Sequence, residues 1–73
     1  MPKLYAARQV IKALQRLGFV IISQRGSHIK LRKVVGGKTF SPIVPNHKEI
    51  AMGTLQSILS QAAITKEELD ENI

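Results

Sequence analysis

The 73-residue sequence has no cysteine. That absence excludes a disulfide framework, a zinc finger and thiol catalysis together. No apolar run approaches the ~18–20 residues that a membrane span needs. The N-terminus lacks the basic, apolar and small-residue blocks of a signal peptide, so a soluble protein of the cytoplasm is expected, with no membrane contact. At this length the expectation is one domain over 1–73, with a core over about 4–64 and a short acidic helix or tail over 65–73, because domains typically run to ~100–200 residues. Such a chain has little room for a deep substrate cavity or a cradle for a small-molecule cofactor.

Acidic residues are also scarce where they would matter. None occurs before Glu49, and the other four are Glu67, Glu68, Asp70 and Glu71. Residues 1–66 therefore carry eleven Lys and Arg against one acid, a net +10, and the last seven residues carry −4. A basic body of this kind suits a polyanionic partner, most simply nucleic acid.

The apolar periodicity places five elements and a terminal helix. Leu4, Ala7, Val10, Ile11, Leu14 and Leu17 recur at three- and four-residue steps, which predicts a helix over 4–17. Pro2 precedes it, where a missing N–H does no harm, and Gly18 suits a left-handed cap behind it. Residues 19–24, Phe-Val-Ile-Ile-Ser-Gln, read as a strand. A tight connection at Arg25-Gly26 leads to a second strand over 28–34. Its alternation puts His28, Lys30 and Arg32 on one face and Ile29 and Leu31 on the other, toward the core. Gly36-Gly37 is a hairpin turn signal. A third strand follows over 38–44, confined to an edge or frayed by Pro42 and Pro45. A second helix is expected over 54–62, with Met52 one turn before it, and Thr65 with Glu68 forms a capping box for the terminal helix. The fold class is α+β: a three-stranded antiparallel sheet with both helices on one face, which buries both apolar stripes and leaves the other face to the basic residues.

Most catalytic constellations are missing. Gly37-Lys38-Thr39 resembles the end of a phosphate-binding loop, but Arg32 stands where the motif's first glycine belongs and a strand follows instead of a helix. His28, His47 and Glu49 are too few and too irregularly spaced for a metal site. There are no paired carboxylates outside the C-terminal segment and no serine triad. A DNA-reading helix over 48–62 is poorly supported, since no Lys or Arg occurs from 49 to 65. What remains is Gly26-Ser27-His28 opening a basic strand. An imidazole can exchange a proton near neutral pH. RNA carries its own nucleophile, the 2′-hydroxyl, so one imidazole among cations can suffice for strand cleavage without metal or cofactor. His28 is the candidate catalytic residue. Arg25, Lys30, Arg32 and Lys38, with Lys33 beside them, are candidates to hold the RNA backbone. Gly26 would let that backbone come close, and Ser27 would fix a ring nitrogen or a phosphate oxygen. The alternatives are a non-catalytic RNA-binding module on the same fold and a pure protein–protein adaptor. His47 reads as a capping or loop histidine.

Three segments fit a family pattern. They are Leu14-x-x-Leu17-Gly18-Phe19, the tripeptide Gly26-Ser27-His28, and a block from Pro45 to Ala62 that contains His47, Lys48-Glu49-Ile50, Gly53-Thr54-Leu55, Ile58-Leu59 and Gln61-Ala62. Together, over about residues 4–66, the chain resembles the HicA toxins of toxin–antitoxin systems. The resemblance implies an α-β-β-β-α fold similar to double-stranded RNA-binding domains. It implies an mRNA interferase, an endoribonuclease that halts translation, with His28 as its catalytic residue. It also implies a HicB-like antitoxin that covers the active face and helps repress the shared operon. Three positions depart from the pattern. Ile29 stands where many relatives carry a second histidine, and Leu31 lies where an aromatic is often found. Ala63 replaces a helix-ending glycine, which leaves the second helix free to run on.

Overall fold

The computed structural model describes residues 4–73 and contains seven elements. They are α1 (Ala7–Arg16), β1 (Val20–Arg25), β2 (His28–Val35), β3 (Lys38–Phe40), β4 (Ile43–Pro45), α2 (Met52–Ala62) and α3 (Lys66–Glu71). Pro2, expected just ahead of the first helix, lies outside the described residues.

The apolar stripe of α1 is buried as its spacing predicts, through Ala7, Val10, Ile11 and Leu14, with Ala13 joining them. The helix begins three residues later than the stripe. Tyr5 instead bridges Ile50, whose N–H donates to the Tyr5 carbonyl at 2.7 Å, and Ala6 is extended. A backbone partner across the fold outweighs one more helical turn at a chain end that would otherwise fray. The helix closes as a Schellman motif. The Phe19 N–H reaches the Leu14 carbonyl at 2.9 Å and the Gly18 N–H reaches Gln15 at 3.0 Å, with Gly18 at φ +101°.

β2 is the centre of an antiparallel sheet. β1 pairs with one edge, and β3 and β4 share the other. The expected third strand is therefore present, on an edge, but interrupted. One register runs through both pieces and sets Leu31 opposite Pro42; the Leu31 N–H still donates to the Pro42 carbonyl at 3.0 Å. Pro42 accepts but cannot donate, so the ladder breaks there without losing register. α1 and α2 cover the face that carries Ile29, Leu31 and Val44, all buried. The opposite face is open, as an α-β-β-β-α arrangement of the double-stranded RNA-binding type requires.

α2 starts at Met52 and stops at Ala62. It does not run on past the missing glycine. Ala63 itself takes the left-handed conformation, φ 55° and ψ 42°, and the Ile64 N–H closes on the Leu59 carbonyl at 3.1 Å. An L-residue in this region costs roughly 1–2 kcal/mol that glycine avoids. Ala63→Gly should therefore stabilise the fold by about 1 kcal/mol, read as a higher urea midpoint at unchanged slope. An unmoved midpoint would show that the conformation carries no strain here.

The acidic end of the chain is a docked helix. The capping box forms in both directions, with the Glu68 N–H on Thr65 Oγ1 at 3.1 Å and the Thr65 N–H on Glu68 Oε1 at 2.9 Å. Leu69 is fully buried, and Arg16 Nη1 donates to the Asn72 carbonyl at 2.8 Å. Asp70 accepts from the Tyr5 hydroxyl and pairs with Lys66 at 3.0 Å. The Tyr5 hydrogen bond, then Lys66, hold the Asp70 carboxyl below its ordinary value of 3.8, while Asp70 and Tyr5 raise the Lys66 ammonium above 10.5. For a lowered carboxyl, the stabilisation is complete above the ordinary value and is lost as pH falls through the lowered one; for a raised ammonium, it is lost as pH climbs past 10.5. The stability difference between wild type and Tyr5→Phe should thus be constant near neutrality and shrink as pH drops below ~4. Urea titrations of both proteins across pH 2–7 check this, and a difference that persists at the acid end would show that Asp70 is not the acceptor that matters.

Candidate functional site

β2 alternation and strand pairing set the composition of the open sheet face. Residues directly opposite on paired strands share a face. Arg25 on β1, His28 on β2 and Pro45 on β4 form one row; Ser23, Lys30 and Ile43 form the next. The Ser23 and Arg25 placements depend on a bulge in β1. Its register shifts between Ile21 and Ser23, so Ile22 is an extra residue. The shift turns Ser23 and Arg25 toward His28 and Lys30, although Val20 already faces that way opposite Arg32.

The turn that delivers His28 is two residues long, Gly26-Ser27, between the paired Arg25 and His28. Gly26 has φ +57° and Ser27 is not left-handed, the pattern of a II′ hairpin. A Cβ on Gly26 would meet open space, so the turn's geometry, not crowding within the protein, asks for glycine there. The Gln24 amide supports the turn through the Gly26 carbonyl at 3.2 Å. Ser27 contributes its carbonyl, which accepts from the Asn46 N–H at 2.5 Å. This bond ties the segment after β4 to the start of β2.

Arg25, His28 and Lys30 line one open hollow with Ser23 and Ile43. His28 and Ile43 also wall a second hollow, which adds Pro45, His47, Glu49, Ile50, Ala51 and Thr54. Among the described residues the one ion pair is Lys66–Asp70 on α3, so Arg25, Lys30 and Arg32 have no carboxylate partner. Unpaired cations flanking an exposed imidazole are suited to a phosphodiester: the cations bind its oxygens and the ring moves a proton. Among the described residues no three of His, Asp and Glu converge as metal ligands would, and no helix is long and apolar enough to cross a membrane.

Not every candidate residue gathers here. Arg32 shares the face but lies four residues along β2, ~13 Å from His28 at the strand rise. Lys38 pairs with Val35 at the far end of the β2–β3 hairpin, seven residues from His28, and its position alternates onto the other face. Lys33 is used internally. Its Nζ donates to the Leu17 carbonyl at 2.6 Å and lies 5.7 Å from the Phe19 ring centre. His47 is a loop residue, and its carbonyl, not its ring, caps α1 by accepting from the Ala7 N–H at 3.0 Å. Sequence reading missed Ser23, because nothing in Val-Ile-Ile-Ser marks a bulge. It also missed that His47 shares a hollow with His28, although Pro45 opposite His28 makes that neighbourhood a consequence of strand pairing.

No curated protein matches this sequence. A family model described as the HicA toxin of bacterial toxin–antitoxin matches residues 7–64. The matched span runs from the start of α1 to just past α2, takes in both hollows, and leaves out α3. The chain belongs to the HicA toxin family and is the toxin of a toxin–antitoxin system.

Proposed function

We propose that this toxin is a metal-independent endoribonuclease that cleaves mRNA in the cytoplasm and so inhibits translation. The observation that carries the reading is His28: an exposed imidazole in one row with Arg25, beside Lys30, on a sheet face with no carboxylate paired to those cations. The 2′-hydroxyl of the RNA is the nucleophile. His28 takes its proton as the 2′-oxygen bonds to phosphorus and the bond from phosphorus to the 5′-oxygen breaks. The departing 5′-oxygen takes up a proton from solvent or from a general acid beside it, so the products are a 2′,3′-cyclic phosphate and a 5′-hydroxyl. Arg25 and Lys30 hold the non-bridging oxygens, where charge grows in the transition state. Gly26 and Ser27 set the turn from which His28 projects. No cofactor takes part.

The partner is a HicB-like antitoxin. An inhibitor with acidic groups that covers the open sheet face would occupy the same cations as RNA and close the site.

The test is to incubate the purified protein with an mRNA transcript in EDTA and to map the ends. Cleavage leaving cyclic phosphate and 5′-hydroxyl ends supports the reading. RNA bound but uncut would replace it with a non-catalytic RNA-binding module.

A further inference from the structure

The two hollows that meet at His28 do not end there. A third, lined by Ala6, Arg8, Asn46, His47 and Lys48, shares His47 with the second. The three hollows adjoin through shared walls, His28 and Ile43 between the first two and His47 between the last two, in a strip of surface from Arg25 and Lys30 to Arg8 and Lys48. Cations stand at both ends and the chain's only two imidazoles line its middle. The segment that carries His47 is held on three sides. Its own N–H donates to the Pro45 carbonyl at 2.8 Å, its carbonyl accepts from Ala7 at 3.0 Å, and Asn46 is bonded to Ser27. These bonds fix the backbone on both sides of His47, and with it the position from which the ring lines the hollow.

We propose that His47 is the second proton-transfer group of the cleavage reaction. The proposal rests on the ribonuclease reading above. As the 2′-oxygen attacks, His28 accepts the 2′-proton; as the bond to the 5′-oxygen breaks, an imidazolium at His47 gives its proton to that oxygen. The proton gained by one ring and lost by the other balances the step, and solvent exchange restores both. The roles follow from the surroundings. His28 stands in one row with Arg25 and beside Lys30, the two cations that grip the phosphate. Glu49, the one carboxylate before residue 67, lines the hollow that holds both rings and stands two residues from His47 in the chain, on the side away from Arg25 and Lys30. A carboxylate is the partner that an imidazolium donor uses to orient its other N–H. Arg8 and Lys48 lie beyond His47 and hold the RNA on the leaving-group side.

The test uses an RNA whose cleavage site has been mapped with wild type, prepared with either oxygen or sulfur as the bridging 5′ atom at that site. Sulfur leaves without needing a proton. On the oxygen substrate in EDTA, His47→Ala should cut ~10²–10⁴-fold more slowly than wild type, the usual contribution of general acid–base catalysis. On the sulfur substrate it should cut at nearly the wild-type rate, whereas His28→Ala should stay slow on both. Sulfur rescue itself requires a folded site, and His47→Gln, which keeps a polar side chain, should behave as His47→Ala. His47→Ala cutting the oxygen substrate at the wild-type rate overturns the proposal. So does His47→Ala remaining slow on both substrates, which would make His47 structural. Failure of the ribonuclease reading is separate: it appears in wild type alone, as no cleavage of either substrate.

Discussion

His28→Ala should lower cleavage of an mRNA transcript by ~10²–10⁴-fold or more, with RNA binding changed by only a few-fold. Both parts follow from the position of the side chain. His28 is exposed at the first residue of β2, outside the buried core, so truncation opens no cavity and the fold should survive. Its backbone still pairs with Arg25 and Pro45. Arg25 and Lys30 remain, and they supply the phosphate contacts from which nucleic-acid affinity mostly comes. What is lost is the one group in that row able to take a proton near neutral pH. The measurement is a denaturing gel of transcript with wild type and variant in EDTA, beside a binding assay at low salt. Equal cleavage by both proteins would remove His28 from the mechanism. Loss of binding together with cleavage would make the residue a contact rather than a base.

How far the sequence reveals this site depends on which kind of geometry is asked for. Within one element, periodicity is enough. The alternation of β2 separates His28, Lys30 and Arg32 from Ile29 and Leu31, because side chains on a strand must alternate. Gly18 and the Thr65–Glu68 pair mark helix ends because backbone groups there need specific partners. Between elements, periodicity is silent. The bulge at Ile22 reverses the facing of everything after it in β1, yet has no compositional sign. Lys33 counts as surface charge in the sequence, but alternation sends it inward. Its aliphatic stem then lies along the core edge and its ammonium finds the Leu17 carbonyl. His47 is twenty residues past Ser27 of the β2 turn, with no periodic relation to it. Only the pairing of β4 with β2 returns it to His28. The terminal segment, acidic and weakly apolar, shows its capping box but not that Leu69 completes the core against α1.

The separation of Lys38 from the site gives the second large effect an internal control. Lys30→Glu with Arg32→Glu should weaken RNA binding on the order of 10²-fold, since each charge-assisted contact is worth ~1.5–3 kcal/mol and reversal adds repulsion. With single-stranded RNA, the fall of log affinity against log salt should become shallower by ~0.7 for each phosphate contact removed. Of the single variants, Lys30→Glu should harm cleavage more, because Lys30 lines the hollow with His28 and Arg32 does not. Lys38→Glu removes the same charge from the far end of the hairpin, on the other face. If only net charge mattered, it would cost as much as Lys30→Glu. If the open face is the binding surface, it should leave both cleavage and the salt slope nearly unchanged. The same proteins probe the antitoxin. An inhibitor seated on this face must lose affinity for the Lys30/Arg32 double variant in parallel with RNA. An unweakened toxin–antitoxin complex, alongside failed RNA binding, would place the inhibitor elsewhere. The exposed apolar residues of β1, Val20, Ile21 and Ile22, would then be the next surface to substitute, because an unpaired edge strand offers its backbone to another chain.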